Sequence, residues 1–145
     1  LGFYMRTAYK MPVRPVAPGA VVKPEDMSAL TLFPVKSIIA RPADGGQAPR
    51  GEQEVAGCAF SGAAALAHVE VSIDGGATWR RARLEGPAEP GRWQVFSHRF
   101  AAGPGRVTAI ARAVDRKGNA QPARAAWNPS GYFWNAWHRV SWEVL

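Results

Sequence analysis

The stretch VEVSIDGGATWRRARL, Val69 to Leu84, decides how this chain folds. Val69, Val71 and Ile73 alternate with Glu70 and Ser72, and His68 extends the polar set, so one face of an extended strand is apolar and the other polar. Asp74-Gly75-Gly76 then breaks the alternation. An aspartate that bonds the turn backbone, and glycines that accept positive φ, make a tight turn; Trp79 opens the return strand through Arg80, Arg81 and Arg83. A β-hairpin is the expectation.

The same residues spell S-x-D-x-G-x-T-W, the spacing of the Asp-box in sialidase-type propellers. A propeller blade repeats its motif, and the pattern occurs once here. A chain of 145 residues is also too short for six four-stranded blades. What survives is the turn itself.

Working outward, the period of two continues. "PVKSIIARP" is a short strand closed by proline, "ADGG" is a turn, and "EQEVAGCAFSG" is a second strand. "RWQVFSHRF", "RVTAIARAVDRKGN" and "NAWHRVSWEVL" follow, the last with His138, Val140, Trp142 and Val144 on one face. The alanine-rich "SGAAALAHV" could form at most a turn or two of helix. About seven short strands joined by Gly/Pro turns predict an all-β, immunoglobulin-like sandwich of the disulfide-free, E-set type. Before it, residues 1–34 differ in character. Pro12, Pro15, Pro18 and Pro24 deny them any periodicity and predict an extended linker, whose Leu1, Phe3, Tyr4 and Tyr9 want a surface to pack on.

The net charge of +7 raises the question of nucleic acid. The basic residues are scattered, and no helix-turn-helix, RNP or zinc pattern accompanies Arg80, Arg81 and Arg83. A basic surface, or a docking face for an acidic partner, is the simpler reading. No run of eighteen apolar residues predicts a membrane span, and no signal peptide is read. The start at Leu1 rather than methionine suggests a piece of something longer.

Catalysis needs convergent acids, bases or metal ligands. His68, His98 and His138 fall on different predicted strands, and Asp44, Asp74 and Asp115 fall in turns, where aspartate has a structural task. Cys58 is the single cysteine, so there is no internal disulfide, and its apolar run predicts a buried, inert thiol. No metal site and no catalytic residue is assigned. The segment "WNPSGYFWNAWHRVSWEV" is different. Trp127, Trp134, Trp137 and Trp142 crowd into it, and Tyr132, Phe133 and Trp134 in a row cannot all point inward from a strand. Such a loop meets a partner or a ligand.

Taken in order, "VEVSIDGGATWRRARL", "RAVDRKGNAQP" and "WNPSGYFWNAWHRVSWEV" resemble the C-terminal dimerisation domain of the sulfite oxidase family of molybdenum enzymes. "LGFYMRTAYKMP" is similar to the end of that family's preceding catalytic domain, and "FPVKSIIARPADG" to the first strand of the dimerisation domain. The resemblance implies a division into residues 1–34, tail of a catalytic domain plus linker, and residues 35–145, the dimerisation domain. It implies a homodimer, which the apolar residues on outward-looking strand faces also suggest, and contact with the chain's own catalytic domain. It further implies a molybdenum-pyranopterin cofactor held by a cysteine of that domain, and not by Cys58. Sulfite would be oxidised by oxygen-atom transfer, with electrons passed to a c-type cytochrome or other acceptor in the periplasm or another extracytoplasmic space.

By the same resemblance, Ser130 and Gly131 lie at the edge of the substrate pocket. Trp127, Asn128, Tyr132, Phe133, Trp134 and Asn135 form the loop that touches the catalytic domain, its aromatics exposed where that domain is absent. Vertebrate and plant members carry arginine immediately before the glycine of W-N-x-x-G. Ser130 stands there, and a serine cannot supply arginine's bidentate contact to an anion; this brings the chain closer to bacterial sulfite dehydrogenases. The competing reading is a free-standing immunoglobulin-like module that binds carbohydrate or protein on Tyr132–Trp134.

Overall fold

The computed structural model describes residues 2–145; Leu1, expected to seek a packing surface, lies outside them. Nine strands form two sheets packed face to face. They are β3 (Lys36–Arg41), β4 (Gln47–Ala48), β5 (Gly51–Phe60), β6 (Leu66–Ser72), β7 (Arg80–Arg81), β8 (Arg83–Glu85), β9 (Gln94–Ala102), β10 (Gly105–Asp115) and β11 (His138–Val144). One sheet runs β4-β11-β10-β6-β7 and the other β3-β5-β9-β8. All neighbours are antiparallel except β4, which lies parallel to β11. The all-β sandwich is as expected.

Side-chain alternation builds the core. Val69 and Val71 of β6, Ala109, Ala111 and Ala113 of β10, and Val140, Trp142 and Val144 of β11 face Val55 and Ala59 of β5 and Phe96 of β9. Alanines along β10 leave room for Trp142 and Phe96, the two largest fully buried side chains. The indole N–H of Trp142 is buried without a partner among the described residues, a cost set against its large apolar contact. Gly57 lies under Phe96; a Cβ there would sit 1.9 Å from the Ile38 carbonyl oxygen and 2.8 Å from the Phe96 ring.

Two polar ties lock the layers. Gln121 is buried, and its Oε1 accepts from the Ser37 amide (2.9 Å), the Ser37 hydroxyl (2.7 Å) and the Ala113 amide (3.1 Å), joining β3 of one sheet to β10 of the other. His138 Nδ1 accepts from the Ile39 amide (3.1 Å), again across the layers. Burial, followed by the nearby Lys36 charge, holds the His138 pKa below its ordinary value, so the ring stays neutral and able to accept.

Two expectations need correction. The return strand after Asp74-Gly75-Gly76 is not one strand. Arg80–Arg81 pair with β6, then Ala82 crosses over, and Arg83–Glu85 pair with β9 in the other sheet. Arg80, Arg81, Ala82 and Arg83 present no apolar face, so nothing holds them to a single sheet. The N-terminal segment is not simply extended either. It holds a short helix α1 (Phe3–Thr7) and a ribbon of β1 (Lys10–Pro12) with β2 (Met27–Ala29), closed by the Val13 amide on the Asp26 carbonyl (2.9 Å). Three-residue strands are too short to show a period.

Candidate functional site

Asn128 shapes the tryptophan-rich loop. Its Nδ2 donates to the Tyr132 carbonyl (2.8 Å) and its Oδ1 accepts from the Tyr132 amide (3.0 Å), while the Gly131 amide reaches the Asn128 carbonyl (3.1 Å). The chain thus turns tightly through Pro129, Ser130 and Gly131. Gly131 takes φ 67°, which glycine adopts freely; Phe133 takes φ 59°, which a bulky residue adopts only under constraint. The constraint is visible: Asn135 Nδ2 donates to the Val35 carbonyl (3.1 Å), and Trp137 Nε1 donates to the Gln121 carbonyl (2.7 Å).

The N-terminal segment supplies the remaining contacts. Tyr9 stacks on Tyr132 with centroids 5.7 Å apart, and Phe33 meets Phe133 at 4.9 Å. The loop's aromatics were expected to stand exposed, yet Tyr132 and Phe133 are half-buried by this segment; Trp134, 67% exposed, and Trp127, 37% exposed, are the ones that reach outward. Ser130 sits exposed at the tip. Beside the loop lies a groove of about 280 Å³, bounded by Phe33, Ile38, Phe60, Trp93, Phe133 and Trp134. Tyr9 and Phe33 were not singled out as site residues. Their aromatic character in a proline-rich segment was the available signal.

Asn128→Ala removes both bonds to Tyr132, a loss of about 1–2 kcal/mol confined to the loop. Hydrogen exchange at the Tyr132 amide is expected to quicken roughly 5–30-fold, with the midpoint of thermal unfolding little changed.

The three histidines do not come together. His98 lies on β9 in one sheet, whereas His68 and His138 lie on β6 and β11 in the other; among the described residues no three His, Cys, Asp or Glu could hold a metal ion. Cys58 is half-buried rather than fully buried, and desolvation pushes its thiol pKa up, the reverse of what a metal-bound thiolate needs. Asp74 accepts from the Thr78 hydroxyl (2.6 Å) and amide (2.9 Å) and from the Ser72 hydroxyl (2.7 Å), which hold its pKa well below the carboxylate range. It is a turn residue, as its spacing predicts. No described helix is long and apolar enough to cross a membrane.

The described residues thus form a two-sheet sandwich with an aromatic loop clamped to Tyr9 and Phe33 of the N-terminal segment. The chain belongs to the Mo-co oxidoreductase dimerisation domain family, which it matches over residues 27–144. It is 39% identical over 123 residues to the mitochondrial sulfite oxidase of Rattus norvegicus, covering 78% of this chain and 22% of that protein. With an inducible nitrate reductase [NADH] of Glycine max it shares 33% identity over 100 residues, 62% of this chain and 11% of that one. The sulfane dehydrogenase SoxCD of Paracoccus pantotrophus superposes with a TM-score of 0.67 at 26% identity, covering 83% of this chain and 30% of that chain. The chain therefore spans about a fifth of the length of the rat enzyme.

Proposed function

We propose that this chain is the dimerising and pocket-edging part of a molybdenum-dependent oxidoreductase of the sulfite oxidase kind. In this reading residues 1–34 lead out of a catalytic domain and residues 35–145 form the dimerisation domain. The strand order supports an immunoglobulin-like reading of that domain, with β3-β5-β9-β8 standing for A-B-E-D and β6-β10-β11 for C-F-G. The molybdenum-pyranopterin cofactor belongs to the catalytic domain. The donor set described above does not fit it, and no catalytic step is assigned to these residues.

One observation carries the pocket-edge role: Tyr132 and Phe133 are pinned to Tyr9 and Phe33 of the segment that would arrive from the catalytic domain. That clamp leaves only Trp134 of the three consecutive aromatics fully outward, which disfavours a carbohydrate platform and suits a loop directed at an adjoining domain. Ser130 and Gly131 then form the edge of an anion pocket, with Trp127, Asn128 and Asn135 shaping the contact. Electron transfer to a c-type cytochrome and an extracytoplasmic location complete the reading.

The test is steady-state kinetics on the full-length protein with sulfite and an electron acceptor, alongside molybdenum analysis. Ser130→Arg adds a cation at the pocket edge. A charge-assisted contact of about 1.5–3 kcal/mol lowers the KM for sulfite roughly 10- to 100-fold. Unchanged constants in both Ser130→Arg and Trp134→Ala would show that the loop is remote from the pocket.

A further inference from the structure

Strand β3 borders the four-stranded sheet and has a strand neighbour, β5, on one side only. In an antiparallel pair, alternate residues turn their N–H and C=O groups toward the partner. The Ile38 carbonyl oxygen faces Gly57 of β5, so Val35, Ser37 and Ile39 direct theirs the other way. An open edge of this kind ordinarily meets water or another strand. Here Val35, Ser37 and Ile39 are all buried, so their backbone groups need partners from within the protein.

Side chains stand in for the missing strand. Asn135 Nδ2 donates to the Val35 carbonyl (3.1 Å), Gln121 Oε1 accepts from the Ser37 amide (2.9 Å) while its Nε2 reaches the Ser37 carbonyl (3.4 Å), and His138 Nδ1 accepts from the Ile39 amide (3.1 Å). The rungs fall on every second residue, as along a real strand edge. Asn135 and His138 both come from the root of the aromatic loop, the short stretch that leads into β11. Between them Gln121 Nε2 holds the Ala136 carbonyl (2.8 Å), and the Trp137 amide donates to the Pro122 carbonyl (2.9 Å). Of the three rungs, His138 is the one whose side chain titrates near neutrality. Lys36 of β3 opposes a second positive charge on it. Asp44, in the turn after β3, favours one, but its Oδ1 already accepts from the Ser141 amide (2.7 Å). On β10 the residue opposite is Ala111, which carries no charge.

We propose that His138 is an acid-released latch, which holds the root of the aromatic loop to the open edge of β3 while the imidazole is neutral and frees it when the ring takes a proton. A neutral imidazole has one accepting nitrogen, and the Ile39 amide occupies it. Protonation turns Nδ1 into a donor. Two donors then face each other, the Ile39 N–H loses its partner, and the new charge lies near Lys36. Burial and Lys36 hold the folded pKa below the unfolded value of about 6.5, so the tie is complete above that pH and is lost as pH falls through the lower, folded value. The latch concerns the loop itself and stands whether or not the loop borders a substrate pocket.

The experiment is hydrogen exchange of the full-length protein, resolved to single amides and corrected for intrinsic rates, from about pH 7.5 down to about pH 5. Protection of the Ile39 amide is expected to fall on the order of tenfold or more across this range, and that of the Trp137 amide about 3- to 10-fold. The Ala82 amide, bound to the Val69 carbonyl of β6 two strands from β11, keeps its protection. His138→Asn places an amide oxygen where Nδ1 lies, an acceptor that does not titrate. A flat profile for Ile39 in this variant, at whatever level, assigns the wild-type fall to the imidazole. Constant Ile39 protection in the wild type would overturn the proposal, as would a His138→Asn variant that follows the wild-type fall, which would point to Asp44. A fall at Ile39 with Trp137 unmoved would make His138 a local tie and no latch for the loop. An equal fall at Ala82 would mean general loosening in acid, and would overturn it too.

Discussion

Gly57→Ala is expected to lose more than about 3 kcal/mol of stability, the upper end of what overpacking costs, and to lower the thermal midpoint by roughly 10 °C. The new methyl meets the backbone oxygen of Ile38 at 1.9 Å, and backbone cannot swing aside as a side chain does. Relief requires β3 to part from β5 where Ile39 pairs with Gly57, next to the register shift that follows Ile39. Adding Phe96→Leu would relieve the ring contact alone, so the double variant should recover little. Calorimetry checks both. A near-native midpoint for Gly57→Ala would mean that the β3–β5 spacing is looser than described.

Asp115→Ala should cost about 3 kcal/mol. One buried carboxylate accepts from the Ser61 hydroxyl (2.8 Å), the Lys117 amide (3.0 Å) and both the amide (3.0 Å) and side chain (2.9 Å) of Asn119, fastening the loop after β5 to the turn after β10. Burial by itself would raise the pKa. The bonds from Asn119, Ser61 and the turn amides outweigh it, and the folded pKa lies below the ordinary value. A depressed folded pKa gives stability that is full above the unfolded value near 3.9 and fades as pH falls through the folded one. The difference between wild type and Asp115→Ala should therefore stay constant from neutrality to about pH 5 and narrow below pH 4. Denaturant unfolding across that range measures it. A difference that widens in acid would mean the carboxyl is protonated in the native state.

Long alternating strands were legible in the residues. Val69, Val71 and Ile73 announce β6, and Val140, Trp142 and Val144 announce β11, because a half-buried strand writes its two faces into every second position. The Asp74 turn was equally plain, since its aspartate and glycines act locally. Two-residue strands such as β4 and β7 carry no period, and the crossing at Ala82 left no trace among arginines that suit either sheet. The Gln121 and Asp115 ties were hidden for another reason: a polar residue after a strand reads the same whether it meets water or a partner such as Ser37 or Ser61, far away in the chain. At the candidate site the crowding of aromatics marked the loop, and its polar turn was readable. Its clasp to Tyr9 and Phe33 depends on a chain path that only the three-dimensional structure supplies.

The crossing at Ala82 also governs how copies of this molecule can gather. Because one short segment borders β6 and then β9, it caps the same side of both sheets, with edge strands of two and three residues rich in arginine. At the opposite side β4 is two residues long, and β3 carries Lys36 and Arg41 at its ends and a register shift within. Short, charged or bulged borders resist the addition of a further strand. Growth by hydrogen bonding from sheet to sheet, the route to filaments, therefore meets a short, charged or bulged strand at every described border.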